Sequence, residues 1–285
     1  MAGSDLRRGA LCMVLAALLF AAMGVAVKLA AATLPNTVVV FLRSAFGVLL
    51  LTPWLLASRV PLKTEHLGEH VLRGLFGMGA MYCFFYAIAH LGLADALLLN
   101  YSLPLFVPFV EKVWLGEPIP RGIWRPLAIG MIGLVLVLKP GSGLFQPVAL
   151  VGLAASMLAA TAQVGVRKLT QTEPVPRIVF YFGLMSTAVA AVPAGLNWVS
   201  PWSVGPWVLL LLGVSATLAQ LLMTRAYSYA RAAEVGPFIY SSVLFAALFD
   251  WAVFARVPDA LTMLGAVFIV LAGVLALRVE ALPPA

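Results

Sequence analysis

Residues 87–104 read AIAHLGLADALLLNYSLP, and residues 226–243, 139 positions later, read AYSYARAAEVGPFIYSSV. At that constant offset Ala87 falls on Ala226, Ala94 on Ala233, Asp95 on Glu234 and Tyr101-Ser102 on Tyr240-Ser241. The same shift sets Phe41 on Phe180, Val27-Lys28-Leu29 on Val166-Arg167-Lys168 and Glu111 on Asp250. One match between apolar segments means little. A fixed offset that lays rare polar residues on rare polar residues reads as an internal repeat.

What each half is made of follows from composition. The chain is 63% hydrophobic and only 10% charged, against roughly 25% charged in a soluble globular domain. Too few polar groups are present to face water on all sides, so lipid is the expected solvent. Apolar segments of spanning length fall at 9–30, 36–57, 72–90, 95–115, 125–140, 148–169, 177–196, 206–227, 234–254 and 259–278. The fifth is short for a hydrocarbon core of about 30 Å. Short connections bearing Pro, Gly, Asn or charge separate them, as at Leu34-Pro35-Asn36 and Lys139-Pro140-Gly141. The expectation is an all-α membrane protein of ten transmembrane helices. Residues 9–140 and 148–278 form its two five-helix repeats. Five is odd, so the second repeat crosses the bilayer in the opposite sense, and inverted repeats place a substrate site near the midplane between halves.

The net charge of +7 is explained by topology rather than by nucleic acid, since no basic cluster alternates with aromatic side chains. With both termini cytoplasmic, fourteen of the eighteen Lys and Arg residues fall at inside ends and loops. Trp198, Trp202 and Trp207 then mark an outer interface. Arg7-Arg8 before the apolar run from Gly9 could suggest a signal peptide, but the run is too long for one. It is expected to remain as the first helix of a multi-pass inner-membrane protein. Cys12 and Cys83 lie in apolar segments and read as small buried hydrophobes.

The chain resembles the drug/metabolite transporter superfamily, and within it the family with tandem EamA domains. The resemblance covers nearly the whole chain. It rests on the five-plus-five organisation, Phe41-Leu42-Arg43-Ser44, the stretch Ala87–Pro104, and Leu115-Gly116-Glu117 followed by Gly130 and Gly133. The second half departs from the pattern, with Ala255-Arg256 standing where Gly116-Glu117 stands and Val243 in place of Pro104. The resemblance implies secondary transport of a small organic metabolite by alternating access through a central cavity, with no cofactor. Residues 73–104 look similar to family members that carry cofactor-like or nucleoside-like metabolites, including riboflavin and S-adenosylmethionine. Other members export amino acids or metal-chelating metabolites.

Candidate site residues come from polar and aromatic groups at membrane depth. Arg43 lies seven residues after Asn36, about 10 Å down its helix. An arginine there costs on the order of 3 kcal/mol on insertion scales, so it faces a cavity or a partner. An anion-binding or gating role competes with snorkelling to the interface. Pro104 frees a carbonyl near Asn100 and opens the fourth span where Asn100, Tyr101 and Ser102 sit, with Tyr240 in the matching place. Gln163 and Gln220 could bind substrate or bond across helices. Tyr82, Tyr86 and Tyr181 could wall a cavity or simply pack.

Glu111 and Asp250 are weaker candidates, for proton coupling, against a structural reading as salt bridges with Lys112 and Arg256. His66 and His70 alternate with Glu65 and Glu69 on what reads as a solvated loop, 58–71, and no metal site is expected there. Gly74-x-x-Gly77-x-Gly79 reads as helix packing. The partners expected are the bilayer and a small-molecule substrate. A non-transporting scaffold or receptor, or an intramembrane enzyme, is the alternative, though no catalytic constellation stands out.

Overall fold

The computed structural model describes residues 5–91 and 93–279, so Gly92 of the repeated stretch lies outside the described residues. All regular structure among them is helical. The first half holds α1 (Leu6–Ala30), α2 (Asn36–Ala57), α3 (Leu67–His90), α4 (Leu93–Asn100), α5 (Leu103–Trp114) and α6 (Trp124–Leu138). The second holds α7 (Ala149–Leu169), α8 (Val175–Leu196), α9 (Pro206–Tyr229), α10 (Ala232–Val235), α11 (Ser241–Phe254) and α12 (Ala260–Val279).

Local chemistry sets the boundaries. Asp5 caps α1 by accepting from the backbone N–H of Arg8. Pro35 and Pro174 stand just before α2 and α8. Lys139 stops α6, and Ala255 stops α11, in left-handed backbone conformations. Among the described residues nine stretches are long and apolar enough to cross a membrane, with α4–α5 and α10–α11 each counted as one. The tenth expected span is α6, whose 15 residues rise only about 22 Å.

The two interrupted spans are broken at matching places. After Asn100 the chain makes a turn at Tyr101-Ser102 before α5 starts, with Pro104 in its first turn. Pro104 has no N–H to continue the ladder. The Ser102 hydroxyl instead bonds the Leu99 carbonyl at 2.6 Å, and Ser156 of α7 donates to that same carbonyl. Between α10 and α11 lies a 3-10 turn, Gly236–Tyr240. The Tyr101 hydroxyl and the Ser242 hydroxyl are 2.9 Å apart, which ties the two broken spans together.

Helices of one half pack mainly on helices of the other. α1 lies against α9 and α11, α3 against α7 and α8, α2 against α8 and α9, α5 against α7, and α6 against α12. The last pair is the tightest backbone approach. A Cβ on Gly133 would stand 2.8 Å from the Gly265 carbonyl oxygen, and one on Gly265 would stand 2.6 Å from that of Gly133. Small residues allow this approach where lipid supplies no hydrophobic drive between helices. Large apolar side chains such as Leu196, Trp202, Val257 and Met263 cover the outside.

Gly265→Ala should therefore destabilise the protein by about 1–3 kcal/mol through overpacking. Gly24→Ala, where a Cβ meets nothing within 4 Å, should be neutral or stabilising by up to about 1 kcal/mol. Thermal unfolding in detergent checks this, and equal responses would contradict the assigned contact.

Candidate functional site

A narrow cleft of about 30 Å³ opens between α2, α8 and α9. Arg43, Ser44 and Gly47 line it from α2, Phe182 and Ser186 from α8, and Thr217 and Gln220 from α9. The hydroxyls of Ser44 and Thr217 are returned to their own helices, on the carbonyls of Val40 at 3.0 Å and Gly213 at 2.7 Å. Ser186 Oγ is buried without a partner. The open hydrogen-bonding groups of the cleft are therefore the Arg43 guanidinium, the Gln220 amide and the Ser186 hydroxyl.

Arg43 enters no ion pair and no hydrogen bond among the described residues. A second arginine lies behind the cleft wall. Arg73 of α3 is 5% exposed, and its guanidinium stacks on the Phe182 ring with its carbon 3.3 Å from the ring centroid. Its Nε and one terminal nitrogen have no hydrogen-bond partner among the described residues. Gly77, one turn along α3, leaves the room this stack needs, since a Cβ there would sit 3.1 Å from Arg73 and 3.2 Å from Phe182. Phe182 thus presents one side to Arg73 while it lines the cleft with Arg43. Each of the two cations costs about 2.5–3.5 kcal/mol to hold at membrane depth.

Of the residues singled out in the sequence, the structure brings only Arg43 and Gln220 together in this cleft. Gln163 is engaged elsewhere, its amide oxygen accepting from the Tyr227 hydroxyl between α7 and α9. Tyr101 is bound to Ser242, and Tyr240 is fully buried with its hydroxyl unpartnered. Asn100 is half-buried at the end of α4 and makes no side-chain hydrogen bond among the described residues.

Tyr82 and Tyr86, read as walling a cavity or simply packing, do not line this cleft. Each is 48% exposed on the α3 face that carries Leu72 and Leu75, opposite Arg73 and Gly77, and Tyr86 stacks on His90. Helical period fixed their common face, but only the packing of α3 on α7 and α8 shows that this face points outward.

The two candidate coupling carboxylates differ from their expected pairing as well. Glu111 is fully buried and grips the start of α10, accepting from the backbone N–H groups of Ala232 at 2.6 Å and Ala233 at 3.2 Å, with Arg231 3.9 Å away. Lys112 is not its partner. Asp250 is half-exposed and pairs with Lys28 at 2.8 Å rather than with Arg256, and Lys28 also lies 3.8 Å over the Phe254 ring. Both partners are more than a hundred residues away in sequence, beyond the reach of any local reading.

The stretch expected as a solvated loop is also different. α3 begins at Leu67, so His70 belongs to its first turn, buried and stacked on Tyr181 at 4.5 Å. Tyr181 donates to the Leu62 carbonyl at 2.9 Å, and Arg177 donates to that of Pro61 at 2.7 Å. Glu173, in the connection between α7 and α8, accepts from Thr64 and from Arg177, each at 2.5 Å. These bonds strap segment 60–66 to α8. Another latch forms where Arg231 reaches Glu117 at 2.7 Å and the Pro118 carbonyl. Arg73, Phe182 and Glu173 were not singled out as site residues in the sequence. For Arg73 the signal was available, in a helix that runs one turn further back.

Comparison with known proteins places these features. The model of the EamA-like transporter family matches residues 7–139 and 146–278. The pseudopaline exporter CntI of Pseudomonas aeruginosa is 38% identical over 269 residues, 94% of this chain and 95% of its own. A riboflavin transporter of Vibrio cholerae is 30% identical, over 93% of this chain and 91% of its own. An S-adenosylmethionine uptake transporter of Rickettsia bellii is 30% identical, over 81% and 80%. One solved crystal structure superposes with a TM-score of 0.80 at 21% identity, covering 94% of this chain and 96% of that one, which concerns the fold.

Burial pushes the Glu173 carboxyl up, but the Thr64 hydroxyl and the Arg177 guanidinium outweigh it and hold the group below the ordinary glutamate range. Its contribution to stability is thus complete above the ordinary value of about 4.3 and is lost as pH falls through the lower folded value. The thermal midpoint of Glu173→Gln in detergent should lie below wild type by a constant gap from pH 7 to about 5. That gap should close at more acid pH. A gap that widens on acidification would contradict the strap.

Proposed function

The chain belongs to the EamA-like transporter family and is a membrane transporter of small molecules, and we propose that it works by alternating access through the cleft that Arg43 lines. The single observation that carries this is a guanidinium at membrane depth, lining the cleft, with no counterion among the described residues. Such a group marks a substrate path in a membrane bundle.

The cleft is walled by α2 from one half and by α8 and α9 from the other, where a site between two repeats belongs. We take residues 9–140 and 148–278 as two five-helix repeats of inverted sense. The packing supports this, because shifting each helix by half the chain turns α1 on α9 into α7 on α3. The same shift turns α1 on α11 into α7 on α5, and α2 on α9 into α8 on α3. The breaks at Tyr101-Ser102 and before Ser241 correspond in the same way. α6 then serves as the tenth, short span. We place the protein in the bacterial inner membrane with both termini cytoplasmic. The basic residues support it, since Arg59, Lys63, Arg121, Lys168, Arg177 and Arg231 lie at or beside connections on one end of the bundle.

The substrate is a small organic metabolite. Similarity to the pseudopaline exporter, at higher identity than to the riboflavin and S-adenosylmethionine carriers, supports export as the direction.

Metabolite profiling of cells and medium tests this in overexpression, deletion and Arg43→Ala strains. A compound should accumulate outside on overexpression and inside on deletion. Arg43→Ala should lower its efflux at least about tenfold at unchanged membrane abundance, the loss of one charge-assisted contact. No change in any solute pool would favour a non-transporting scaffold, and unimpaired efflux in the variant would remove Arg43 from the site.

A further inference from the structure

We infer that the substrate carries two negative charges, received by Arg43 and Arg73 with the Phe182 ring as the movable partition between them. This rests on the transporter reading of the cleft and adds the substrate's chemical class to it. Neither guanidinium has a carboxylate partner among the described residues. The membrane-level carboxylates are held elsewhere: Glu111 on the start of α10, Asp250 on Lys28, and Asp95 on the Gly141 backbone N–H at 2.6 Å. Two like charges, one lining the cleft with Phe182 and the other stacked on that ring, are therefore left for a ligand to neutralise.

Arg73 is more than nine-tenths buried, and two of its guanidinium nitrogens have no acceptor among the described residues. A buried donor left unmade is costly, so the site gains from a ligand oxygen there more than an exposed arginine would. Its guanidinium stacks on the face of Phe182, which attracts a cation but accepts no N–H bond of full strength. Phe182 also lines the cleft beside Arg43. Rotation of that one side chain joins Arg73 to the cleft and converts a single cation into a pair. A monoanion satisfies Arg43 alone. A dianion reaches both, and each guanidinium can grip a carboxylate through two N–H groups.

The experiment uses the purified full-length protein in detergent and follows thermal stabilisation by succinate, glutarate and adipate. The monoamide and diamide of each are compared at equal ionic strength. At least one dicarboxylate should bind ten-fold or more tighter than its monoamide, and its diamide should not bind. Arg73→Gln and Arg43→Gln should each reduce the dicarboxylate to the monoamide's affinity, while Arg73→Lys retains part of the difference. If Arg73→Gln fails to fold, the comparison of dicarboxylate with monoamide on wild type and Arg43→Gln decides alone. Equal binding of monoamide and dicarboxylate across the whole series overturns the inference. So does an Arg73→Gln protein that keeps the dicarboxylate preference. A cellular solute shown to be carried but neutral or cationic would overturn the inference and leave transport standing. Dicarboxylate preference in a protein that moves no solute would do the reverse.

Discussion

Lipid offers no hydrogen bonds to the backbone, and the rest of this fold follows from that constraint. Every segment at membrane depth must be helical unless protein supplies partners for what a helix leaves open. The chain breaks its helices at two such places, and both are walled by protein. At the first, Ser102 and Ser156 converge on the Leu99 carbonyl. At the second, Gly236–Tyr240 turns beside Pro104 and under α6, with Tyr240 and Phe238 buried. The Tyr101–Ser242 contact then closes one break on the other. Irregular backbone is tolerated here because it is buried, and α6 and α12 can approach closely there because glycine removes the side chains that would keep them apart.

The same scarcity of polar partners governs the charges. Carboxylates and cations near the ends are joined in pairs or hold backbone N–H groups: Glu173 with Arg177, Arg231 with Glu117, Lys28 with Asp250, Lys139 with Asp259. In the exposed pairs the gain per bridge is small. The buried strap at segment 60–66 is different, since Glu173, Thr64, Arg177, Tyr181 and His70 each satisfy or cover a neighbour. Against this background Arg43, which lines the cleft, and the buried Arg73 have no carboxylate partner among the described residues. A transporter that alternates between two states must break and remake contacts at its ends, and it must leave its substrate-facing groups free in between. The distribution of settled and unsettled charge follows that division.

The spans were legible because apolar length is a local property, and most boundaries fell within a few residues of the helices observed. The opening of the fourth span was legible too, from Pro104, whereas the turn at Gly236–Tyr240 was not. Nor was direction. Tyr82 and Tyr86 share a helical face, but a period cannot tell which face meets lipid when nearly every residue on the helix is apolar. Partners were not legible either, because Glu111 meets Ala232 across 121 residues, and Lys28 meets Asp250 across 222. Arg73 shows a subtler failure. Beginning the third span at 72 left it among the interfacial charges that orient the protein, whereas a helix from Leu67 carries it inside.

That displacement of one turn changes what the arginine means. At the interface Arg73 would snorkel to water, and its sequence position would report topology alone. Inside, it cannot reach water, and its stack on Phe182 requires the small residue at Gly77. Gly77, in the run 74–79 read in the sequence as packing, therefore also serves the site: a Cβ there would press on both the guanidinium and the ring. Packing and function are here one arrangement, because the space that lets α3 approach α8 is the space in which the second cation is kept.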